Sequence, residues 1–198
     1  MSETPYNQGN IQTKSELTHI KPNVINDEIY SQTDLSDLVL SLETHGQLEP
    51  IVVNNDFVII SGHRRYFSMM QLGWTECDIR VSNLDNDIVA LIEFNRSRIK
   101  SVNDILNESR ILERELKKEI GRGRNAREQR SGKKMQTIIE VSKKLGLAPT
   151  QLKKIKSIAN YEPSLISAID NDEMSVNKAY EIVRTKYINT TSVDDKKQ

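Results

Sequence analysis

The residues best suited to chemistry lie in the stretch Ser61-Gly62-His63-Arg64-Arg65-Tyr66, where an apolar, extended run meets a segment with helical spacing. A helix N-terminus leaves backbone N–H groups unpaired and carries the positive end of the helix dipole. Cations in a first turn are disfavoured unless an anion shares the site. Arg64 and Arg65 therefore point to one of two arrangements. Either a phosphate is held there by backbone amides and bidentate guanidinium contacts, or the arginines pair with carboxylates of the acidic sequence around them. Gly62 would let the backbone approach a ligand closely. His63 suits a general base, a phosphate ligand or a neutral hydrogen-bonding residue.

A second cluster, "LIEFNRSR", sets Glu93 and Asn95 beside Arg96 and Arg98. A carboxylate with an amide oxygen suits a hard ion such as Mg2+, which binds readily in company with phosphate oxygens. The bland alternative is a helix end with solvated charges. Taken with the first cluster, the pattern suggests a nucleotide with its metal. No Ser-His-Asp arrangement and no His/Cys metal spacing is present. Cys77 is the single cysteine, so an internal disulfide and a thiolate metal cluster are excluded, as fits a reducing compartment. Beside Asp78 on a strand, it reads as half-buried packing rather than a nucleophile.

A third constellation, "TIIEVSKKLGLAPTQLKKIKSI", has helix-turn-helix form. Ile138, Val141 and Leu145 give the first helix an apolar stripe, Gly146 takes the turn, and Leu147 plugs the angle between helices. Pro149 suits a first helical position, and Leu152, Ile155 and Ile158 form the buried face of the second helix. Its other face carries Thr150, Gln151, Lys153, Lys154 and Lys156. In a DNA-binding helix-turn-helix these early residues enter the major groove. Gln151 would read an adenine edge, while the lysines would meet phosphates. Arg124 and Arg127, in the basic stretch "GRGRNAREQRSGKK", join them as DNA contacts. The alternative is a plain helical hairpin in a bundle.

These groups need elements to hold them. Residues 1–17 are polar and aperiodic and read as a flexible arm. "HIKPNVIN" reads as a strand or extended segment, and "TDLSDLVLSLETHGQLEP" as an amphipathic helix capped by Thr33 or Asp34 and ended by Gly46. Two short apolar runs around Asn54-Asn55-Asp56 predict a hairpin. "HRRYFSMMQL" then reads as a helix closed by Gly73, "CDIRVSN" as a strand, and "NDIVALIEFNRSR" as a helix that ends in the second cluster. From Ser101, a candidate cap, the pattern is helix after helix, with Ser175 capping the last. The expected fold class is α+β: a small mixed α/β domain over 18–100, an all-α helix-turn-helix domain over 101–187 and a flexible tail over 188–198.

The balanced charge of 28 Lys/Arg against 28 Asp/Glu conceals a strong asymmetry. Residues 1–109 hold 8 Lys/Arg and 16 Asp/Glu, whereas residues 110–156 hold 15 and 5. A basic block of that kind favours a nucleic-acid partner. With no run of about 18 apolar residues and no signal pattern at the N-terminus, no membrane association and a cytoplasmic location are expected.

The order "LSLETHGQLEPIVV", "ISGHRRYFSMMQLG", "LIEFNRSR" and then a helix-turn-helix resembles the ParB partition-protein family over about residues 18–185. "SGHRRY" followed by a helix ending in "LG" is the most specific piece, and "YEPSLISAIDNDEMSVNKAYEIV" resembles the helices that follow the family's helix-turn-helix. The resemblance implies a ParB/sulfiredoxin-like N-terminal domain that binds CTP with Mg2+ and hydrolyses it slowly. It also implies double-stranded DNA as a partner, a nucleotide-dependent homodimer that closes as a clamp, and a ParA-like ATPase. By position, Gly62, His63, Arg64 and Arg65 would cradle the triphosphate. Glu93 and Asn95 would serve the metal, and Gly46 to Pro50, including Gln47 and Glu49, would approach the base.

Several positions depart from the family pattern. His63 stands where Glu is common, and Phe94 splits the usual Glu-Asn pair. Glu49 replaces a frequent Gln, which leaves CTP or another nucleoside triphosphate open. Residues 188–198 are too short for the family's usual C-terminal dimerisation domain. Sulfiredoxin carries a catalytic Cys at the equivalent turn and this chain has none there, so that chemistry is disfavoured. A nucleotide-independent transcription regulator or adaptor, and a nuclease or small-molecule kinase on the same scaffold, are the competing readings.

Overall fold

The computed structural model describes residues 12–30, 34–82, 84, 86–96, 98–121 and 130–189, with backbone alone for 119–121 and 130–135. The chain divides into two compact units, residues 1–97 and 98–198.

The first unit is built on a four-stranded mixed sheet, ordered β1-β4-β2-β3. Strands β2 (Ile51–Val53) and β3 (Ile59–Ser61) form the expected antiparallel hairpin. Its turn is organised by Asn54, whose Oδ1 accepts from the N–H groups of Asp56 and Val58. The Asn54 amide also donates to Asp87 at 2.6 Å, at the start of α4 (Asp87–Phe94). Parallel to β2 runs β4 (Glu76–Val81), with Val52 opposite Arg80. On the outer side of β4 lies β1 (Gln12–Glu16), antiparallel to it.

Alternation along the strands divides the sheet into two faces. Ile51, Val53, Ile59, Cys77 and Ile79 make one core with Leu42 of α2 (Ser36–His45) and with Tyr66 and Met69 of α3 (His63–Gln71). The opposite face, with Val52 and Ile60 buried in it, receives α4. Burial raises the Cys77 thiol pKa to about 11, with the Asp78 charge adding to the effect, so the thiol is packing and not a nucleophile.

Two expectations for the start of the chain are corrected. Gln12–Glu16, placed within a flexible arm, is an edge strand, because β4 offers it a ladder from Glu76 to Arg80. "HIKPNVIN" is not a strand. A 3-10 turn at Leu17–His19 and helix α1 (Val24–Ile29) occupy it, and only Lys21 makes a bridge, to Val58. The Asn23 side chain caps α1 by accepting from the Ile25 N–H, a local signal that outweighs the extended tendency around Pro22. Asp34 accepts from Ser36 N at the start of α2, while the other suggested cap, Thr33, lies outside the described residues.

The second unit is helical: α5 (Val102–Gly121), α6 (Arg130–Leu145), α7 (Pro149–Tyr161), α8 (Ser164–Asp170) and α9 (Val176–Val183), which continues into a π-helical turn at Arg184–Ile188. Ser101 and Ser175 cap α5 and α9 as their positions suggest. Asp170 adds a cap from a distance, its carboxylate accepting from the Val102 and Asn103 N–H groups at 2.5 and 3.2 Å. Leu106, Ile155, Ile158, Ile166, Ile169, Ala179 and Val183 form the core. Helix α6 begins at Arg130, inside the stretch read as a Gly-interrupted basic connector.

Candidate functional site

Gly62 sits at φ +105°, a left-handed conformation that turns the chain sharply from β3 into α3. No side chain caps that helix and no acidic residue stands in its first turn. Two arginines therefore share an uncapped helix N-terminus. A Cβ at position 62 would come within 3.3 Å of the Arg65 guanidinium, so the glycine also clears the path of that side chain.

The four residues of this turn do different work. His63 is buried, 6% exposed, and its Nε2 accepts from the Asn23 N–H at 3.1 Å. Burial drives its pKa down to about 4, against a smaller upward pull from Asp27. His63 is thus a neutral acceptor that ties α3 to the start of α1, and its placing as a phosphate ligand is corrected. Arg64 is exposed and donates to the Asp34 carbonyl at 2.9 Å. Arg65 lies inward. It donates to the carbonyls of Glu49 and Pro50 at 2.7 and 3.0 Å and approaches the Glu49 carboxylate at 3.4 Å. Burial holds its pKa below the ordinary value, Glu49 works against that, and the nearby Arg80 charge adds to it.

The segment from Gly46 to Pro50 is anchored from its other side by Gln47. The Gln47 side chain accepts from the Asp78 N–H at 2.7 Å and donates to the Asp78 and Glu49 carbonyls at 2.8 and 3.0 Å. Its amide is committed to the protein, which corrects its placing against a base. Glu49 keeps an exposed carboxylate, 80% accessible, at the mouth of the turn.

At the end of α4 the proposed metal pair does not converge. Glu93 pairs with Arg96 at 3.1 Å, while Asn95 caps the helix and turns its amide back to the Leu91 carbonyl at 2.8 Å. Residues two apart on a helix do not face one another. Among the described residues, no three His, Cys, Asp or Glu side chains gather to hold a metal. Glu93 alone remains suited to Mg2+, an ion that accepts one carboxylate when phosphate oxygens and water supply its other ligands.

In the helical unit, α6 and α7 are joined by a tight turn. Gly146 takes φ +70°, and the Leu147 N–H returns to the Ser142 carbonyl at 2.9 Å, closing α6 in the manner of a Schellman motif. Pro149 opens α7 and Ala148 provides no side-chain cap. Thr150, Gln151 and Lys153 are exposed on the first turns. Two other lysines make contacts within the helical unit. Lys154 donates to Asn177 at 2.8 Å and lies over the Tyr180 ring. Lys156 pairs with Glu113 of α5. Arg124 and Arg127 lie outside the described residues.

Sequence reasoning overlooked Asn23 and Arg80. The signal for Arg80 was its place inside the apolar strand "CDIRVS". Asn23 acts through its backbone, and its contact with His63, 40 residues away, had no local signature.

The sequence pattern of the ParB N-terminal domain family matches residues 2–95. A nucleoid occlusion protein of Geobacillus thermodenitrificans is 28% identical over 180 residues, covering 85% of this chain and 61% of the relative. The chain thus spans about three-fifths of the length of that relative. Among solved structures, a Pnob8-like ParB-N domain superposes with TM-score 0.67 at 16% identity, covering 94% of this chain and 84% of that one. The C-terminally truncated chromosome-partitioning protein ParB of Caulobacter crescentus, solved in complex with the centromeric parS site, gives TM-score 0.52 at 15% identity, covering 86% and 84%. With the sequence match and the mixed α/β fold in agreement, residues 2–95 carry a ParB N-terminal domain.

Proposed function

We propose that this protein binds double-stranded DNA through its helical unit and a nucleoside triphosphate, CTP, through its N-terminal unit, the nucleotide controlling how the chain holds DNA. The observation that carries the nucleotide reading is the turn at Gly62: an uncapped helix N-terminus, no acid in its first turn, and Arg64 exposed beside it. Arg65 shapes the floor by fixing the Glu49–Pro50 backbone, and Arg64 supplies the exposed cation. Mg2+, held by Glu93 and by phosphate oxygens, would neutralise part of the triphosphate charge. Nucleotide binding would bring two copies together and slow hydrolysis would release them. A ParA-like ATPase is the partner to test on the same resemblance.

The DNA reading is supported by the exposed Thr150, Gln151 and Lys153 at the start of α7 and by the basic block around it. The related ParB structure holds parS DNA and the sequence relative is a nucleoid occlusion protein. Both relatives point to partition or nucleoid occlusion as the setting.

A second reading, a DNA-binding regulator whose N-terminal unit no longer takes nucleotide, is favoured by the inward commitment of His63, Gln47 and Arg65. The lifetime of the protein on DNA, measured with and without CTP and Mg2+, separates the two. The first reading predicts a several-fold change in dissociation rate with CTP. An unchanged rate, together with no CTP binding, would establish the second.

A further inference from the structure

We propose that Arg80 is a third phosphate-binding arginine, joining the turn at Gly62 to the end of α4 across the sheet. This rests on the nucleotide reading above and adds a residue that neither motif contains. Arg80 lies in β4 between Ile79 and Val81, opposite Val52 on β2 and Gln12 on β1. Its side chain shares the sheet face that α4 covers. The guanidinium carbon stands 5.8 Å from the centroid of the Phe94 ring, and Phe94 separates Glu93 from Asn95. The Nε atom is buried and has no hydrogen-bond partner.

Among the described residues, no carboxylate forms an ion pair with Arg80. Its nearby cation is Arg65, and the one carboxylate on Arg65 belongs to the exposed Glu49. Of these two half-buried guanidiniums, Arg65 has one solvent-facing carboxylate and Arg80, among the described residues, has none. Like charges in that position raise the energy of the fold unless an anion lies among them. A multiply charged anion lying between Arg65 and Arg80 would offset that repulsion. The contact with the Phe94 ring leaves Nε unsatisfied.

The test uses the full chain and calorimetric titration with CTP, CMP and inorganic tripolyphosphate, with Mg2+ present. Arg80→Met keeps the apolar stem against Phe94 and removes the charge; Arg80→Lys keeps a cation. Arg80→Met should weaken CTP and tripolyphosphate at least ten-fold and CMP by much less, with partial recovery in Arg80→Lys. Thermal melting without ligand should be unchanged or higher, because an unpaired cation has been removed. Wild-type CTP and tripolyphosphate affinity in Arg80→Met, or equal losses for CTP and CMP, would overturn the assignment. Failure of the wild type to bind either CTP or tripolyphosphate would overturn the nucleotide reading itself, and this assignment with it.

Discussion

At His63, the buried imidazole links two helices by accepting the Asn23 N–H, and that role fixes how pH acts. Unfolded, the ring takes a proton below about pH 6.5; folded, it does so only near pH 4. Between those values the unfolded chain holds more protons, so stability is complete above pH 6.5 and falls as pH drops towards 4. The loss amounts to roughly 3 kcal/mol, at about 1.4 kcal/mol per pKa unit. His63→Gln keeps an acceptor without a titrating group and should flatten the fall in melting temperature over that window. An unchanged pH profile would contradict the buried-acceptor role. Gln47 makes a parallel case. Gln47→Ala leaves the Asp78 N–H without its 2.7 Å partner and should cost about 1–3 kcal/mol by denaturant unfolding. Arg64→Ala removes one exposed hydrogen bond, so its fold should survive while nucleotide affinity falls by roughly ten-fold or more, the scale of a charge-assisted contact.

At the scale of elements, the devices that place the site were largely legible. The Asn54 turn, the glycine before α3, the Gly73 stop, the caps at Ser101 and Ser175 and the Gly146 bend all rest on local chemistry that a short window of sequence contains. Contacts between distant segments were not. Nothing local announces that Gln12–Glu16 has β4 to pair with, or that Lys156 meets Glu113 rather than a phosphate. The lysine face of α7 looked uniform because charge alone does not reveal which side of a helix its neighbours cover. The same holds for Lys100, which is 7% exposed and pairs at 2.8 Å with Glu108, itself fully buried. Removing that cation should be severe: Lys100→Met is expected to cost about 3–5 kcal/mol in the helical unit, read by denaturant unfolding. A loss below about 1 kcal/mol would place the pair among weak surface bridges.

Across the whole molecule, residues 1–109 are acidic and residues 110–156 basic. DNA affinity carried by α7 should show in its salt dependence. Replacing Lys153 by alanine should reduce the log–log salt slope by about 1 if it meets one phosphate. Lys156→Ala should leave the slope alone and lower the melting temperature, since its partner is Glu113. The reverse pattern would return Lys156 to the DNA face. The central claim is narrower, that the turn at Gly62 receives a triphosphate. Its most direct measurement is an equilibrium titration of the full chain with CTP and Mg2+, run beside Arg64→Ala. Saturable binding by the wild type, weakened at least ten-fold in the variant, is the expected result. No binding of CTP, ATP, GTP or UTP by the wild type, or equal affinity in the variant, would contradict it.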